Sequence, residues 1–420
     1  MTMRLGEVAG ADLQRFGKPL DGIRVLAIEQ MQALPYATQM LARLGAEVVK
    51  IESPGIGESG RAALPMMSDP LGRSVGVTFL RNNLGKRSVT VDLKHPEGRE
   101  IVLRLAEKAD IVCENFKPGT AGRLGLGFED IAAVNPRAIY LSVSGFGNTT
   151  ESPYASWPAY APVAEGMAGL YDFKRDPNTA PVVSPLGALG DSGSALFAVI
   201  GVLAALRHRD ATGVGQYVDI SMFDAMVALN DAGISYWSMG LKDPGLAPLI
   251  NHSFRAFDGY FLIQCARPHM FAAMADLVGK PEWRTDPRLS GPQAWFDHIE
   301  DILRPGIEEW AADKSRLQAC AALSGVGVAS GPVYNPGDVI DDEHVRNRHM
   351  LVEMERTDGE PAPILSPGNP VKLSRVAEGP ESRVPWVGEH TAEVLGTELG
   401  MSREEIERLA AAGAIGLETP

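Results

Sequence analysis

The stretch that decides the fold is IRVLAIEQMQALPYATQMLARLGAEVVKIE, residues 23–52. Its first part, IRVLAIE (Ile23–Glu29), is a short apolar run that predicts a strand. YATQMLARLG (Tyr36–Gly45) has apolar residues at helical spacing and ends in glycine, and AEVVKIE (Ala46–Glu52) predicts the next strand. A strand, a helix and a second strand in succession predict two parallel strands joined by a crossover helix.

The same alternation continues to residue 147. It predicts strands at Ser88–Leu93, Asp110–Phe116 and Ala138–Gly147, with a helix at Pro96–Ala109. The expected fold is therefore α/β, with a large Rossmann-like parallel sheet. No G-x-G-x-x-G pattern follows the first strand, so the glycine turn that holds a dinucleotide pyrophosphate is missing and no nicotinamide cofactor is expected.

The chain has 420 residues, which is too long for one ordinary hydrophobic core. A separate strand-and-helix pattern begins near residue 247, and SREEIERLAAAGAIG predicts a terminal helix with a capping-box spacing from Ser402 to Glu405. We predict a large domain built from both chain ends and interrupted by a smaller α/β domain. The predicted parts are 1–225 (large domain), 226–246 (linker), 247–335 (small domain) and 336–420 (linker and return to the large domain).

Composition narrows the class of protein. The chain has 39 Lys and Arg against 53 Asp and Glu, a formal net charge of −14, which argues against nucleic acid as the main partner. Its three cysteines are too few for a disulfide framework and are not spaced like zinc ligands, so a reducing, cytoplasmic setting without a bound metal is expected. The N-terminal residues show no signal-peptide pattern, and no apolar run suggests a membrane span.

GALGDSG, residues 187–193, places one carboxylate between glycines before an apolar helix. GDSG also surrounds the serine of trypsin-like proteases, but those enzymes are secreted and disulfide-bonded, so Ser192 is not expected to be a nucleophile. Asp191 could simply cap the helix, because its carboxylate can accept hydrogen bonds from the first N–H groups. Capping and chemistry are compatible, since an ionised Asp191 with Gly190 and Gly193 beside it is a competent nucleophile toward an acyl group.

This region and four others, in the same order, resemble the family III CoA-transferases. That group includes formyl-CoA transferase, the carnitine CoA-transferase and α-methylacyl-CoA racemase. The matching stretches include LDGIRVLAIEQMQALPYATQ, KADIVCENFKPGTAGRLGLG, GALGDSGSALFAVIGVLAAL, SFRAFDGYFLI and GVGVASGPVYNPGDVIDDEH. The resemblance covers nearly the whole chain and implies an interlocked homodimer that binds acyl-CoA and a small carboxylic acid.

The resemblance also implies roles for single residues. Asp191 would attack the acyl-CoA thioester to give a mixed anhydride and CoA thiolate, with CoA as substrate and product and no permanently bound cofactor. Gln32 would be a candidate hydrogen-bond donor to an oxyanion, and Tyr160 occupies a position kept in the transferases. The CoA contacts implied are Ala33, Lys50, Asn115, Phe116, Lys117 and Arg123, with Lys86 and Arg87 as further phosphate candidates. The residues alone are equally compatible with a buried structural Gln32 and solvated surface cations.

Departures from the family pattern leave the substrate open. Residues 158–161 are Pro-Ala-Tyr-Ala, where formyl-CoA transferase has Lys-Ala-Tyr-Glu and the racemase has Gly-His-Asp. No glycine-rich loop precedes SFRAF, where Asn251 and His252 stand instead. Formyl and oxalyl substrates are therefore not favoured, and succinyl-CoA is the expected donor. Candidates to line the acyl pocket are Met31, Tyr36, Tyr160, Met222, Tyr236, Trp237 and His252.

Two alternatives stay open from the sequence. A racemase of 2-methylacyl-CoA thioesters would need two proton-transfer groups, for which Asp191 and His252 are candidates. Tyr160 stands where the racemase has histidine, and a tyrosine hydroxyl with an ordinary pKa near ~10 is poorly matched to proton transfer at neutral pH. The chain could also be a non-catalytic CoA-binding subunit of a heteromeric CoA-transferase, although such a subunit would have little reason to keep Asp191.

Overall fold

The computed structural model describes residues 2–172, 179–183, 187–241 and 249–417. The end of the predicted linker and the first two residues of the predicted small domain therefore lie outside the described residues. The chain forms two compact units, one from Met1–Asp231 and Glu343–Pro420 and the other from Ala232–Asp342.

The regular elements are numbered in chain order. The strands are β1 (Met3–Arg4), β2 (Arg24–Ile28), β3 (Glu47–Glu52), β4 (Met66–Ser68), β5 (Ser74–Gly76), β6 (Lys86–Thr90), β7 (Ile111–Glu114), β8 (Ile139–Ser144), β9 (Tyr217–Ser221), β10 (Ile250–Ala256), β11 (Gly259–Cys265), β12 (Ala329–Pro332), β13 (Leu351–Met354) and β14 (Ile364–Pro367). The helices are α1 (Ala33–Arg43), α2 (Val77–Asn82), α3 (Pro96–Ala106), α4 (Thr120–Arg123), α5 (Phe128–Val134), α6 (Ala161–Met167), α7 (Leu189–Thr212), α8 (Met222–Ala228), α9 (Gly233–Ser238), α10 (Pro268–Leu277), α11 (Pro292–Asp297), α12 (Arg304–Ala311), α13 (Arg316–Gly325), α14 (Pro336–Asp341), α15 (Glu343–Asn347), α16 (Thr391–Leu399) and α17 (Arg403–Ala411).

The first unit is built on a six-stranded sheet with the order β6-β3-β2-β7-β8-β9. Every neighbouring pair in it is parallel. The predicted α/β class with a parallel sheet is thus confirmed. The second unit contains an antiparallel sheet, β10-β11-β12, with its own apolar core.

Helices cover both faces of the parallel sheet. On one face α1, α6, α7 and α8 pack around buried residues such as Leu34, Ala198 and Met226. On the other face α3 and α5 pack together with the C-terminal helices α16 and α17, which contribute Val394 and Leu409. Strands buried on both faces are typical of parallel sheets and explain the continuous apolar runs in the sequence.

The longest helix, α7, packs on the sheet through Ala195, Ala198 and Val202. By length and composition alone, it is the one helix in the described part of the chain that could cross a membrane, and buried core helices meet the same description. The amino end of this helix, Leu189, lies in the predicted GDSG region. α7 also packs against α1.

The order of the strands locates the place where a ligand would bind. From β2 the chain adds β3 and β6 on one side, and then crosses to add β7, β8 and β9 on the other side. The carboxyl ends of β2 and β7 therefore flank a topological switch point, where open α/β sheets bind their ligands. The turn at Gln30–Gln32 follows β2, and the loop that begins at Asn115 follows β7.

The structure corrects one predicted boundary near this point. The sequence predicts that the first helix begins at Tyr36, after Pro35, but α1 begins at Ala33. Proline is tolerated in the first turn of a helix because the N–H that it lacks has no helical partner there. Three more residues than expected therefore belong to the helix, and Gln32 becomes its N-cap.

Candidate active site

The turn between β2 and α1 is held by side chains from elsewhere in the fold. The N–H of Gln30 donates to Oδ1 of Asn115 at 3.0 Å, and Nδ2 of Asn115 donates to the carbonyl of Gln30 at 2.9 Å. The N–H of Met31 donates to Oε2 of Glu58 at 2.8 Å. Met31 has φ of 63°, a left-handed conformation that is uncommon for a residue other than glycine. Ala33 then opens α1 with its N–H directed to Asp191.

Asp191 is the third residue of α7, whose N-cap is Ala188. The interpretation of Asp191 as a helix cap is therefore wrong, because the helix begins three residues earlier than a cap at Asp191 would place it. Its half-buried carboxylate accepts a hydrogen bond from the N–H of Ala33 instead. A donor from one helix thus meets a carboxylate from another.

Glu165 in α6 was not predicted as a site residue, and it lies beside Asp191. Its side chain is fully buried; Oε1 accepts the N–H of Gly190 at 2.8 Å, and Oε2 accepts the hydroxyl of Tyr171. Gly190 has no side chain where α6 approaches, and a Cβ there would lie 2.9 Å from Cα of Ala161. The one signal in the sequence was an acidic residue in the apolar stretch APVAEGM.

The electrostatics around Asp191 favour a reactive carboxylate. Burial, and then the neighbouring Glu165 carboxylate, raise the pKa of Asp191 to about 6. The Ala33 N–H and the Arg81 guanidinium act in the opposite direction but do not cancel that rise. The sequence predicts an Asp191 that is ionised at neutral pH, and a pKa of about 6 agrees with this, although the carboxyl group becomes protonated in more acidic solution. A perturbed pKa near neutrality is characteristic of functional carboxyl groups.

Gln32 and Tyr160 lie near the ends of these helices. Gln32 is half-buried and is the N-cap of α1, although its side chain makes no capping hydrogen bond. Tyr160 is the N-cap of α6, directly before Ala161, and its side chain is 69% exposed. Both positions leave these side chains open to a ligand. Neither is brought into a described hydrogen bond with Asp191.

The loop after β7 presents the remaining predicted CoA contacts. Lys117 and Arg123 are exposed, and Nη2 of Arg123 donates to Oγ1 of Thr120 at 2.8 Å. Phe116 is half-buried against the second apolar core, and its N–H donates to Oε2 of Glu114 at 2.8 Å. Asn115 differs from them, because its amide already bonds Gln30 at both ends.

Lys50 cannot contact a phosphate in this structure, which corrects the prediction for that residue. Its side chain is fully buried, and Nζ lies 3.3 Å from Oε1 of Glu29 and 3.8 Å from Oε1 of Glu58. The same holds for Lys86, whose Nζ lies 2.7 Å from Oε1 of Glu29 and 2.8 Å from the carbonyl of Pro35. Burial lowers the pKa of Lys86 to about 8. A strand pattern does not reveal that a lysine points into a buried ion-pair network.

Arg87 is partly exposed and pairs with Glu398 at 2.7 Å. Within the described ranges, no group of three or more His, Cys, Asp or Glu side chains is placed to hold a metal ion. Cys113, Cys265 and Cys320 are buried and free.

A parallel sheet covered by helices on both faces, with a partly buried carboxylate of raised pKa near its switch point, is typical of an α/β enzyme. The family described as CoA-transferase family III matches residues 20–391. The chain belongs to family III of the CoA-transferases.

Related proteins agree with this assignment. The succinyl-CoA–L-malate CoA-transferase beta subunit of Chloroflexus aurantiacus is 32% identical over 93% of this chain and 96% of its own length. The succinyl-CoA:mesaconate CoA-transferase of Haloarcula hispanica is 34% identical over 92% of this chain and 98% of its own length. A CAIB/BAIF family protein from Brucella suis, 32% identical, superposes with a TM-score of 0.79 over 91% of this chain and 99% of its own. The relatives from Chloroflexus aurantiacus and Haloarcula hispanica are both named as CoA-transferases, so the racemase alternative is not favoured.

Proposed function

We propose that this chain is an acyl-CoA:carboxylate CoA-transferase in which Asp191 carries the transferred groups covalently. The observation that supports this most is the Asp191 carboxylate itself, half-buried, with a pKa raised to about 6 and one oxygen bonded to the N–H of Ala33. Such a group is ionised at neutral pH and is poorly solvated, which favours nucleophilic attack.

The proposed reaction needs four exchanges. An oxygen of Asp191 attacks the carbonyl carbon of the donor thioester, the C–S bond breaks, and CoA leaves as thiolate while the acyl group stays on Asp191 as a mixed anhydride. The thiolate attacks the Asp191 carbonyl carbon, which releases the donor acid and leaves an aspartyl-CoA thioester. The acceptor carboxylate attacks that thioester to form a second anhydride and thiolate. The thiolate then takes the acceptor's acyl group and frees Asp191.

The N–H of Ala33 is suited to assist two of these exchanges. Whenever the carbonyl carbon of Asp191 is attacked, negative charge develops on its oxygen, and this oxygen already faces the N–H of Ala33. A preorganised donor at a developing oxyanion is worth about 10²–10³ in rate. Gln32, at the N-cap beside it, is the proposed second donor.

We place CoA at the switch point between β2 and β7. Ala33, Phe116, Lys117 and Arg123 border that point, and the exposed cations Lys117 and Arg123 suit the phosphates. Asn115 belongs to the same region through its bonds to Gln30 rather than through a free amide.

We propose succinyl-CoA as donor and a small carboxylic acid as acceptor. The two curated relatives described above are named for succinyl-CoA as donor and for malate or mesaconate as acceptor. Tyr160 is exposed just before α6, and the rings of Tyr154 and Trp157 lie close by in sequence, tilted at 56° with centroids 4.8 Å apart. These rings offer aromatic surface for an acyl chain.

We also propose that the active form is a homodimer. On α7, Leu196 and Ile200 are 51% and 61% exposed, and with Leu203 they follow the i, i+4, i+7 spacing of one helix face. An exposed apolar stripe on a core helix is typical of a surface that contacts another protein chain.

Purified protein incubated in D₂O with a panel of acyl-CoAs and free acids tests the function. We expect new acyl-CoAs with the wild type and none with Asp191→Ala. Deuterium at the α-carbon without a new thioester would point to a racemase. Activity that appears only with a second copurifying chain would point to the heteromeric alternative.

A further inference from the structure

The turn that carries the proposed oxyanion donor is fixed by two side chains that the reaction itself does not use. The structure assigns Asn115 and Glu58 the role of positioning residues, which clamp Gln30 and Met31 so that the N–H of Ala33 meets Asp191. This inference rests on the proposed function and assigns a different role to Asn115 from the direct CoA contact expected from the sequence.

The first half of the clamp is Asn115. Its Oδ1 accepts the N–H of Gln30 at 3.0 Å, and its Nδ2 donates to the carbonyl of Gln30 at 2.9 Å. These bonds tie the carboxyl end of β7 to the turn after β2. With its oxygen and its nitrogen both bonded to the backbone of Gln30, the Asn115 amide is held in one orientation against the turn.

The second half is Glu58, which is 8% exposed. Its Oε2 accepts the N–H of Met31 at 2.8 Å and the N–H of Gly60 at 2.6 Å. Its other oxygen, Oε1, has no hydrogen-bond partner among the described residues and lies 3.8 Å from Nζ of the buried Lys50. A carboxylate buried this way is fixed in place by the cation behind it and by the two N–H groups in front.

The backbone shows why a clamp is needed. Met31 has φ of 63°, a left-handed conformation that is strained for a residue other than glycine. Such strain persists only where the surroundings impose it, and here the N–H of the strained residue is bonded to Glu58. Relaxing Met31 would rotate the peptides that lead to Gln32 and Ala33. The donor facing Asp191 would then move away.

The ion pairs beneath the turn hold Glu58 in place. Lys50 lies between Glu58 and Glu29, and Lys86 also pairs with Glu29. The N–H of Glu58 donates to Oε2 of Glu52, which forms a bidentate pair with Arg61 at 2.7 Å for both bonds. Six buried charges are thus balanced, three of each sign, which is the condition under which buried ions are tolerated.

Asn115→Ala is the principal test, and Asn135→Ala is its matched control. Asn135 likewise ties down a loop, since Nδ2 donates to the carbonyls of Ala106 and Ala109 at 3.0 and 2.8 Å and Oδ1 accepts the N–H of Arg137 at 3.1 Å. It follows α5, outside the site. We expect Asn115→Ala to lower kcat by about 10- to 100-fold, with KM for acyl-CoA changed much less, because the donor is misplaced while the CoA contacts stay. Asn135→Ala should lower Tm comparably and leave kcat unchanged.

Glu58→Gln and Glu58→Ala provide the second test. Glutamine keeps one acceptor oxygen for the N–H of Met31, so it should retain more kcat than alanine. A fall in Tm without a fall in kcat in either Asn115→Ala or Glu58→Ala would overturn the clamp. So would a rise in KM at unchanged kcat in Asn115→Ala, which is the result that a direct CoA contact predicts.

Hydrogen exchange at single amides tests the clamp independently of the proposed function. Asn115→Ala should speed exchange at Gln30 and Ala33, and Glu58→Ala at Met31 and Ala33, with Asn135→Ala as the unchanged control. If the wild type transfers no CoA in any assay, the proposed function fails, and exchange at Ala33 still decides the clamp. Unchanged exchange at Ala33 in both variants would reject it.

Discussion

At the scale of single residues, the proposed mechanism depends on the Asp191 carboxylate, whose surroundings resist its ionisation. Burial and the Glu165 carboxylate in α6 raise the pKa of Asp191. The N–H of Ala33 in α1 and the Arg81 guanidinium in α2 lower it, and the net result is a pKa of about 6. An enzyme that keeps a buried carboxylate ready to react gives up stability at the pH where it works.

Asp191→Asn should therefore stabilise the protein while it abolishes transfer. The folded-state pKa of Asp191 is raised, so its contribution to stability is fully present below the unfolded pKa near 3.8 and is lost as the pH rises through about 6. At pH 8 the amide should raise the free energy of unfolding by about 1–3 kcal/mol, and the gain should fade between pH 6 and pH 4. Denaturant titrations of both proteins across that range check this. A loss of stability at pH 8 would contradict it.

Glu165→Gln should move the acid limb of the pH–rate profile. Removing the neighbouring negative charge lowers the pKa of Asp191, while the Ala33 N–H and the Arg81 guanidinium remain. We expect kcat/KM to hold at lower pH than in the wild type, and glutamine can still accept the N–H of Gly190 through its amide oxygen. Profiles of kcat/KM from pH 4.5 to 8 measure the shift. A limb that stays in place or moves to higher pH would show that Glu165 does not set the charge of Asp191.

At the scale of elements, the approach of α6 to α7 shapes the site, and two glycines test it. A Cβ on Gly190 would lie 2.9 Å from Cα of Ala161, a backbone atom that cannot yield without moving α6. A Cβ on Gly193 would meet only the tips of Met226 and Leu229, at 2.7 and 2.8 Å, which are the ends of flexible side chains.

Gly190→Ala should therefore lower both Tm and kcat, while Gly193→Ala should be nearly neutral. Alanine in a helix interior gains about 0.5–1 kcal/mol over glycine, and only the second site allows that gain to offset the contact. Thermal unfolding and initial rates of the two variants give the comparison. Equal changes in Tm and kcat at both positions would mean that the close approach of α6 to α7 does not determine stability and activity.

Much of this could be predicted from the sequence, for identifiable reasons. The strands β2, β3 and β7 can be predicted because each lies in a short apolar run of the sequence. Asp191 can be identified because glycines lie near it at the start of an apolar helix. Glu165 and Glu58 could not be found that way, because their roles depend on contacts with Gly190 and Met31 that lie far from them in sequence. The prediction that Lys50 contacts CoA was wrong because the sequence of a strand does not show which face of the sheet a residue lies on or which ion pair it joins.

At the scale of the whole molecule, the first unit takes its sheet from the N-terminal part and two of its covering helices from the C-terminal part. The exposed stripe on α7 is the feature of this unit that a second copy would cover. Leu196 and Ile200 are its most exposed members.

Sedimentation equilibrium should show a homodimer at micromolar concentration. Replacing Leu196 and Ile200 together by glutamate should shift the protein toward monomer, because charge on a buried apolar contact is costly. Leu317→Glu, at a 62% exposed position in α13, is the control and should leave the dimer intact. A monomeric wild type, or a dimer indifferent to the α7 variant, would contradict the proposal.

In the proposed mechanism, Asp191 becomes covalently acylated or thioesterified during turnover. The most direct measurement is peptide mass spectrometry after incubation with succinyl-CoA and quenching with hydroxylamine, which converts an activated aspartyl group to a hydroxamate. We predict a hydroxamate on Asp191 that requires the acyl-CoA and is absent from the Asp191→Asn protein. Turnover to a new acyl-CoA with Asp191 unmodified, or a hydroxamate on another residue, would contradict the account.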